Sequence, residues 1–202
     1  MLRIGITGGI GSGKSVVCHF FERHQIPIYN ADDEGNKIID TDAIIRRNII
    51  AYFGAKAYTQ KGLNKPLIRK LVFGKHEALQ KLNAITHPVI IGHFDEWCVR
   101  MKKQGHLLVV KEAALMFESE SYKSLDFIAC VVAPIETRIA RVIQRDGKSR
   151  DEVMRIINKQ WSDAEKIKRS DYIIYNDDTD LVLPQLVDLH THVIHKSRNH
   201  GN

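Results

Sequence analysis

Five short, mostly apolar runs punctuate the chain: 2–7, 26–30, 107–110, 127–133 and 172–176. Runs of this length bounded by turn residues predict buried parallel strands. Pro27 sits near the start of the second, where a missing donor is tolerated. The third ends in Lys111-Glu112, and the fourth, Phe127 to Ala133, is the most apolar and predicts a central strand. Between them the spacing turns helical. Val16, Val17, Phe20 and Phe21 share one helix face. Helical patterning then holds from about Glu34 to Gln104, with turn signals at Phe53-Gly54, Lys61-Gly62 and Gly74. His87-Pro88 predicts a boundary or kink, because proline disfavours helix at the residue before it. Pro134 suits the start of a helix running to about Arg145, which Asp146-Gly147 stops. A further helix is predicted over 150–168 and a last one over 181–194, with a frayed tail over 197–202.

Strands spaced by helices specify an α/β fold with a doubly wound, parallel five-stranded sheet. The helical stretch between the second and third strands is too long for a simple crossover. It predicts an inserted helical lobe at 34–105, with 1–33 and 106–202 forming the core. Composition fits: 202 residues, 44% hydrophobic and 27% charged, suit a globular chain able to bury a core. No early stretch resembles a signal peptide and no run is long enough to span a bilayer, so no membrane partner and a cytoplasmic location are expected. Cys18, Cys98 and Cys130 lie far apart in apolar patterns, as core thiols do in a reducing compartment. The net charge of +6 admits acidic partners. No aromatic–basic stacking motif accompanies it, so a small polyphosphate is favoured over nucleic acid. No feature specifies an oligomeric state.

The chemistry concentrates in Gly8-Gly9-Ile10-Gly11-Ser12-Gly13-Lys14-Ser15, which fits G-x-x-x-x-G-K-[ST] between a predicted strand and a predicted helix. Glycines let backbone N–H groups turn inward, and the helix N-terminus adds the positive end of a dipole. Lys14 is placed to reach the β/γ-phosphates, and the Ser15 hydroxyl to ligate Mg²⁺. This is a P-loop for a nucleoside triphosphate.

A GTPase would need N-K-x-D. None of Asn36-Lys37, Asn64-Lys65 or Asn158-Lys159 supplies it, and the D-x-x-G at Asp32-Asp33-Glu34-Gly35 follows the P-loop too soon to leave room for a switch. Asp32, just past the second strand, has two readings. If that strand neighbours the P-loop strand, the carboxylate faces the γ-phosphate and could take a proton from an acceptor hydroxyl. Otherwise Asn30 or Asp32 caps the next helix. Arg138, Arg141 and Arg145 form an i, i+3, i+7 stripe. It is either a solvated face or a lid, about 141–165, that brings guanidinium groups onto the transferring phosphoryl. Glu112 ends a strand where an acid could hold a water on Mg²⁺; it and Glu118 could equally be structural. Lys56, Lys61, Lys65, Arg69, Lys70, Lys75 and Lys81 make the lobe basic, mostly through solvated faces, some of which could hold an anionic acceptor. His190, His192, His195 and His200 lack the paired cysteines or acids of a metal site.

These residues resemble the dephospho-coenzyme A kinase family. Gly5 to Ser15 is similar to that family's G-L-T-G-G-I-G-S-G-K-S, Asn30-Ala31-Asp32 to D-A-D, and Gly62-Leu63-Asn64-Lys65 to G-x-L-x-R. Phe53-Gly54, His87-Pro88, Ala114 to Glu118 (family P-L-L-F-E), Arg141 to Asp146 (R-x-x-x-R-D), Gln160, and Asp171 to Asn176 (D-x-x-I-x-N) continue the match in order along nearly the whole chain. The resemblance implies a P-loop kinase with a helical coenzyme A lobe and a lid. Its implied reaction is ATP-dependent phosphorylation of the ribose 3′-hydroxyl of dephospho-coenzyme A, with Mg²⁺. It implies Asp32 as catalytic acid-base, Lys14 and Arg141 on the phosphates, and Gly9, Gly11, Ser12, Gly13, Ser15, Val16, Arg145 and Asn176 around ATP. Thr7, Lys65, His87 and Leu115 join Asp32 at the acceptor, and Ser15 carries the metal with Glu112 through water. The chain departs from the family pattern at Val16 (usually Thr), Asn30 (Asp), Lys65 (Arg) and Ala114 (Pro). Two other readings stay open: a kinase of this architecture for another small alcohol, and a basic, nucleotide-switched nucleic-acid-binding protein.

Overall fold

The computed structural model describes residues 1–177 and 179–199. It divides into two compact units: Met1–Asn30 with the chain from Arg100 onward, and Ala31–Val99.

The first unit is built on a five-stranded sheet in the order β2-β5-β1-β6-β7, all parallel. Its strands are β1 (Leu2–Thr7), β2 (Ile28–Asn30), β5 (Leu108–Glu112), β6 (Phe127–Val132) and β7 (Tyr172–Tyr175). The sequence condition on Asp32 therefore fails. β2 does not neighbour the P-loop strand; β5 lies between them, with Asn30 opposite Glu112 and Ile6 opposite Glu112 on the other side. Residue alternation decides the two faces. Leu2, Ile4 and Ile6 join Val110, Phe127, Ala129 and Val131 in a core closed by Val17 and Phe21 of α1 (Lys14–Arg23) and Leu186, Leu189 and Val193 of α9 (Val182–Asn199). On the opposite face Gly5 has no side chain because Met116 and Leu125 fill the space a Cβ would take.

After β6, α6 (Ile135–Asp146) ends at Gly147, whose φ of 65° terminates it. The single helix predicted over 150–168 is two: α7 (Arg150–Ile157) and α8 (Asp163–Lys168). Each has its own cap. Ser149 and Glu152 form a reciprocal capping box, and Ser162 accepts from Glu165 N–H. A serine cap is worth about 1 kcal/mol, and the break frees Gln160 and Trp161 for long-range bonds described below. The terminal helix also outruns its predicted end: α9 continues to Asn199, with Ser197 buried and its hydroxyl donating to the Ile194 carbonyl. Residues 200–202 of the predicted frayed tail, His200 among them, lie outside the described residues.

The second unit holds α2 (Ala31–Thr41), α3 (Ala43–Phe53), α4 (Lys65–Val72) and most of α5 (His76–Lys103). Its core gathers Ile38, Ile45, Ile49, Ala57, Tyr58 and Ile68. The predicted break at Lys61-Gly62 is a hairpin, β3 (Tyr58–Thr59) pairing antiparallel with β4 (Gly62–Leu63), and Asp40 accepts from Leu63 N–H. His87-Pro88 is no boundary, since α5 runs through it. An interior proline costs about 3 kcal/mol. Ile85, Val89 and Ile90 pack on this core and Phe94 and Cys98 are buried; at about 1.5–3 kcal/mol for each fully buried large side chain, packing wins.

Candidate active site

The P-loop crosses the carboxyl end of the sheet between β1 and α1. Gly13 occupies the cap position of α1 with φ 100° and no side-chain cap bond, so no capping side chain shields the helix N-terminus from an anion. A Cβ there would also strike the Asn176 side-chain amide. That amide donates to the Ser12 carbonyl at 2.8 Å, while Arg141 donates to the Asn176 carbonyl at 3.2 Å and to its Oδ1 at 3.4 Å. β7, α6 and the P-loop are thus tied at one point.

The Lys14 ammonium donates to the Gly8 carbonyl at 3.2 Å and lies 3.7 Å from Glu112 Oε1, with both side chains mostly buried. Ser12 is buried, and its Oγ has no hydrogen-bond partner within the protein. Ser15 is exposed on the first turn of α1. Lys14, Ser15, Glu112, Arg141, Arg145 and Asn176 open onto one cleft of about 650 Å³, which Gly11, Gly13 and Val16 also line. Its chemistry is that of a phosphate site: three cations gathered at a helix N-terminus, with the carboxylates of Glu112 and Glu22 on the same lining. Arg145 also donates twice to Asp146, at 2.7 and 3.1 Å. That contact, then Lys148, holds the Asp146 carboxyl well below the usual carboxylate range.

The arginine stripe is divided between two surroundings. Arg141 and Arg145 face the cleft, whereas Arg138 is buried beneath the P-loop, donating to the Ile10 carbonyl and to Asp163. Gln160 accepts from Ile10 N–H at 2.9 Å. Asp163 carries no local signal in the sequence; only its long-range partner reveals it. Glu118 accepts from Trp161 N–H and pairs with the fully buried Lys166 at 3.4 Å, which places it in packing between the segment after β5 and α8, away from the cleft lining. Thr7 is fully buried and its hydroxyl donates to the Ala113 carbonyl, so it ties β1 to the chain after β5. Leu115, close by in sequence, is exposed.

Asp32, Lys65 and His87 belong to the second unit. Asp32 is exposed, the second residue of α2. The Lys65 ammonium donates to Asn36 Oδ1 at 2.8 Å, and Asn36 in turn donates to the Asp32 carbonyl at 2.8 Å. His87 is exposed on α5, and the other basic residues of this unit singled out above are exposed as well.

The three cysteines are buried and free. Burial foremost, then the Glu112 and Glu22 charges, pushes the Cys18 thiol up to about 12, and burial pushes Cys130 to about 11. His190 packs on Phe20, Phe21 and His24, and His192 on Phe127. Among the described residues no helix is long and apolar enough to cross a membrane.

Residues 2–181 match the family model described as dephospho-CoA kinase. The chain is 36% identical to a dephospho-CoA kinase of Bacteroides fragilis over 188 residues, covering 93% of this chain and 91% of that protein. It is 38% identical to one of Salinibacter ruber over 180 residues, covering 89% and 90%. Among solved structures it is similar to TT1252 from Thermus thermophilus, with a TM-score of 0.79 at 28% identity, covering 96% of this chain and 97% of the other.

Proposed function

This chain belongs to the dephospho-CoA kinase family, and on that premise we propose that it transfers the γ-phosphoryl group of ATP to the ribose 3′-hydroxyl of dephospho-coenzyme A, the last step of coenzyme A biosynthesis. The observation that carries the reading is the convergence of Lys14, Ser15, Glu112, Arg141 and Asn176 on one cleft at an open helix N-terminus.

Phosphoryl transfer asks the protein for positioning and for stabilisation of charge spread over phosphate oxygens. The loop from Gly11 to Ser15, with the Ser12 hydroxyl, cradles the β- and γ-phosphates, while the Ile10 N–H is held by Gln160. Lys14 adds a point charge there. Arg141, a planar fork, braces the transferring group, while Arg145 and Asn176 flank the nucleotide and Val16 packs beside it. The donor set suits a hard cation: the Ser15 hydroxyl and the Glu112 carboxylate, both oxygen donors on this cleft, would hold Mg²⁺, Glu112 through water. When bound, Mg²⁺ neutralises charge on the phosphate oxygens.

Asp32 orients the 3′-hydroxyl and accepts its proton as the bond to phosphorus forms. The match of Asn30-Ala31-Asp32 to the family's D-A-D, within the matched residues, supports this role. Lys65, His87 and Leu115 bind the acceptor; Thr7 acts on it indirectly, through the backbone it ties at Ala113. The free thiols fit a reducing compartment such as the cytoplasm.

Incubating the protein with ATP, Mg²⁺ and dephospho-coenzyme A, and following ADP release with mass analysis of the product, tests the reading. Product 3′-phosphorylation is the expected result. Turnover only with another alcohol would point to a different acceptor. Salt-sensitive nucleic-acid binding without acceptor-dependent ATP use would point to a binding protein.

A further inference from the structure

We propose that Arg138 is a positioning residue that sets the Ile10 peptide of the P-loop for nucleotide phosphates, with Gln160 in the turn between α7 and α8 and Asp163 at the start of α8 fixing that setting. The proposal rests on the reading of the P-loop as a nucleotide site, but not on the identity of the acceptor.

The Ile10 peptide groups are held on every side. Arg138 Nε donates to its carbonyl at 2.9 Å, and Gln160 Oε1 accepts from its N–H at 2.9 Å. Its side chain packs against Ile139, Val142 and Val153. Arg138 Nη1 donates to both carboxylate oxygens of Asp163, at 3.1 and 2.9 Å. With Arg138 only 4% exposed, an unpaired guanidinium here would be strongly unfavourable. Its plane is therefore dictated by Asp163, and because the fork is rigid, that orientation is passed through Nε to Ile10. The loop lies directly on this arginine. A Cβ at Gly9 would collide with the guanidinium, and one at Gly11 with the Arg138 backbone carbonyl. Arg138 is the floor of the loop, and its charge is spent on Asp163 and Ile10. It acts on phosphate only through the direction of the loop's N–H groups, in contrast to Arg141 and Arg145 on the cleft wall.

The test separates positioning from mere packing. ATP with Mg²⁺ is titrated calorimetrically, without acceptor, into the wild-type protein and into Arg138→Met, Arg138→Lys, Asp163→Asn and Gln160→Met. Unfolding curves and steady-state kinetics are recorded for each. Arg138→Met and Gln160→Met are expected to weaken ATP binding about tenfold, the scale of one lost hydrogen bond that fixes the loop. KM for ATP should rise in step, while kcat at saturating ATP stays within about threefold, because the loss is one of uniform binding. Arg138→Lys should rescue only part of the affinity, since an ammonium cannot hold Ile10 and Asp163 in one plane. A shifted unfolding midpoint with ATP affinity within about twofold of wild type in Gln160→Met and Asp163→Asn would assign a purely structural role and overturn the proposal. Those two variants decide the matter even if Arg138→Met does not fold. ATP binding by the wild type without phosphorylation of dephospho-coenzyme A would count against the proposed acceptor and leave this inference standing.

Discussion

Lys166→Met isolates the contribution of the ion pair between α8 and the segment after β5. Lys166 is fully buried; its ammonium donates to the Ala114 carbonyl at 3.2 Å and lies 3.4 Å from Glu118 Oε1. Methionine keeps the length and apolar bulk but removes the charge. Glu118, 15% exposed, then holds a carboxylate with the Trp161 N–H as its remaining donor, and its Oε2 already has no hydrogen-bond partner. Breaking a buried pair by removing one partner costs about 3–5 kcal/mol, and the surviving N–H and slight exposure favour about 3 kcal/mol. For a chain of this size that lowers Tm by roughly 6–12 °C. Because the chain holds two compact units, the readout must belong to the right one. Trp161 stacks on Phe117 at an interplanar angle of 7°, so its fluorescence in a Trp97→Phe background reports urea unfolding of the affected unit. Adding Glu118→Gln removes the stranded charge and should restore at least about 1.5 kcal/mol. A Lys166→Met protein within about 1 kcal/mol of its parent, or a double variant no more stable than the single, would refute the reasoning.

Three further outcomes follow from the site. Asp32→Asn should lower kcat by about 10²–10⁴-fold with little change in ATP affinity, as loss of a general base does; near-normal turnover in steady-state assays would return Asp32 to a structural role, that of a carboxylate on the first turn of α2. Arg141→Lys should reduce kcat more than ATP affinity, because the charge stays while the fork that also holds Asn176 is lost; unchanged kinetics and affinity would remove Arg141 from the phosphate site. Cys18 and Cys130, raised to about 12 and 11, should resist thiol reagents at pH 8 until the protein is unfolded. A thiol pKa raised by folding adds stability that is fully present below the unfolded value and is lost as pH climbs through the folded one, so urea midpoints should fall from about pH 9 upward.

What could be read from the chain was local chemistry. The P-loop, β1 and α1 are specified within about twenty consecutive residues by strand pattern, glycine spacing and helix pattern, all short-range signals. β6 was legible because both of its faces are buried and its run is uniformly apolar. Strand order was not, since hydrophobic periodicity says which residues are buried and nothing about which strand lies beside which; hence β5, not β2, flanks β1. Pro88 misled because the cost of an interior proline is visible in sequence while the packing that offsets it is not. Arg138 was visible as a cation at helical spacing, but its partners, Ile10 and Asp163, lie far from it along the chain. Nothing in the stripe separates it from Arg141, whose partner is Asn176. The difference is made by which turn of α6 lies under the loop.

The pairing of β1 with β5 also governs how the chain must emerge during synthesis. Leu2 pairs with Leu108 and Ile4 with Phe127, so β1, once made, has no sheet partner until about 100 further residues have been added. At ribosomal rates of about 5–20 residues per second, that interval is roughly 5–20 s. Throughout it, Leu2, Ile4 and Ile6 form an unpaired apolar edge, a hazard for association with other nascent chains. Residues 31–99, which are rich in helical and hairpin contacts between near neighbours, can condense meanwhile. The inserted unit thus separates the two halves of the nucleotide core in time as well as in sequence.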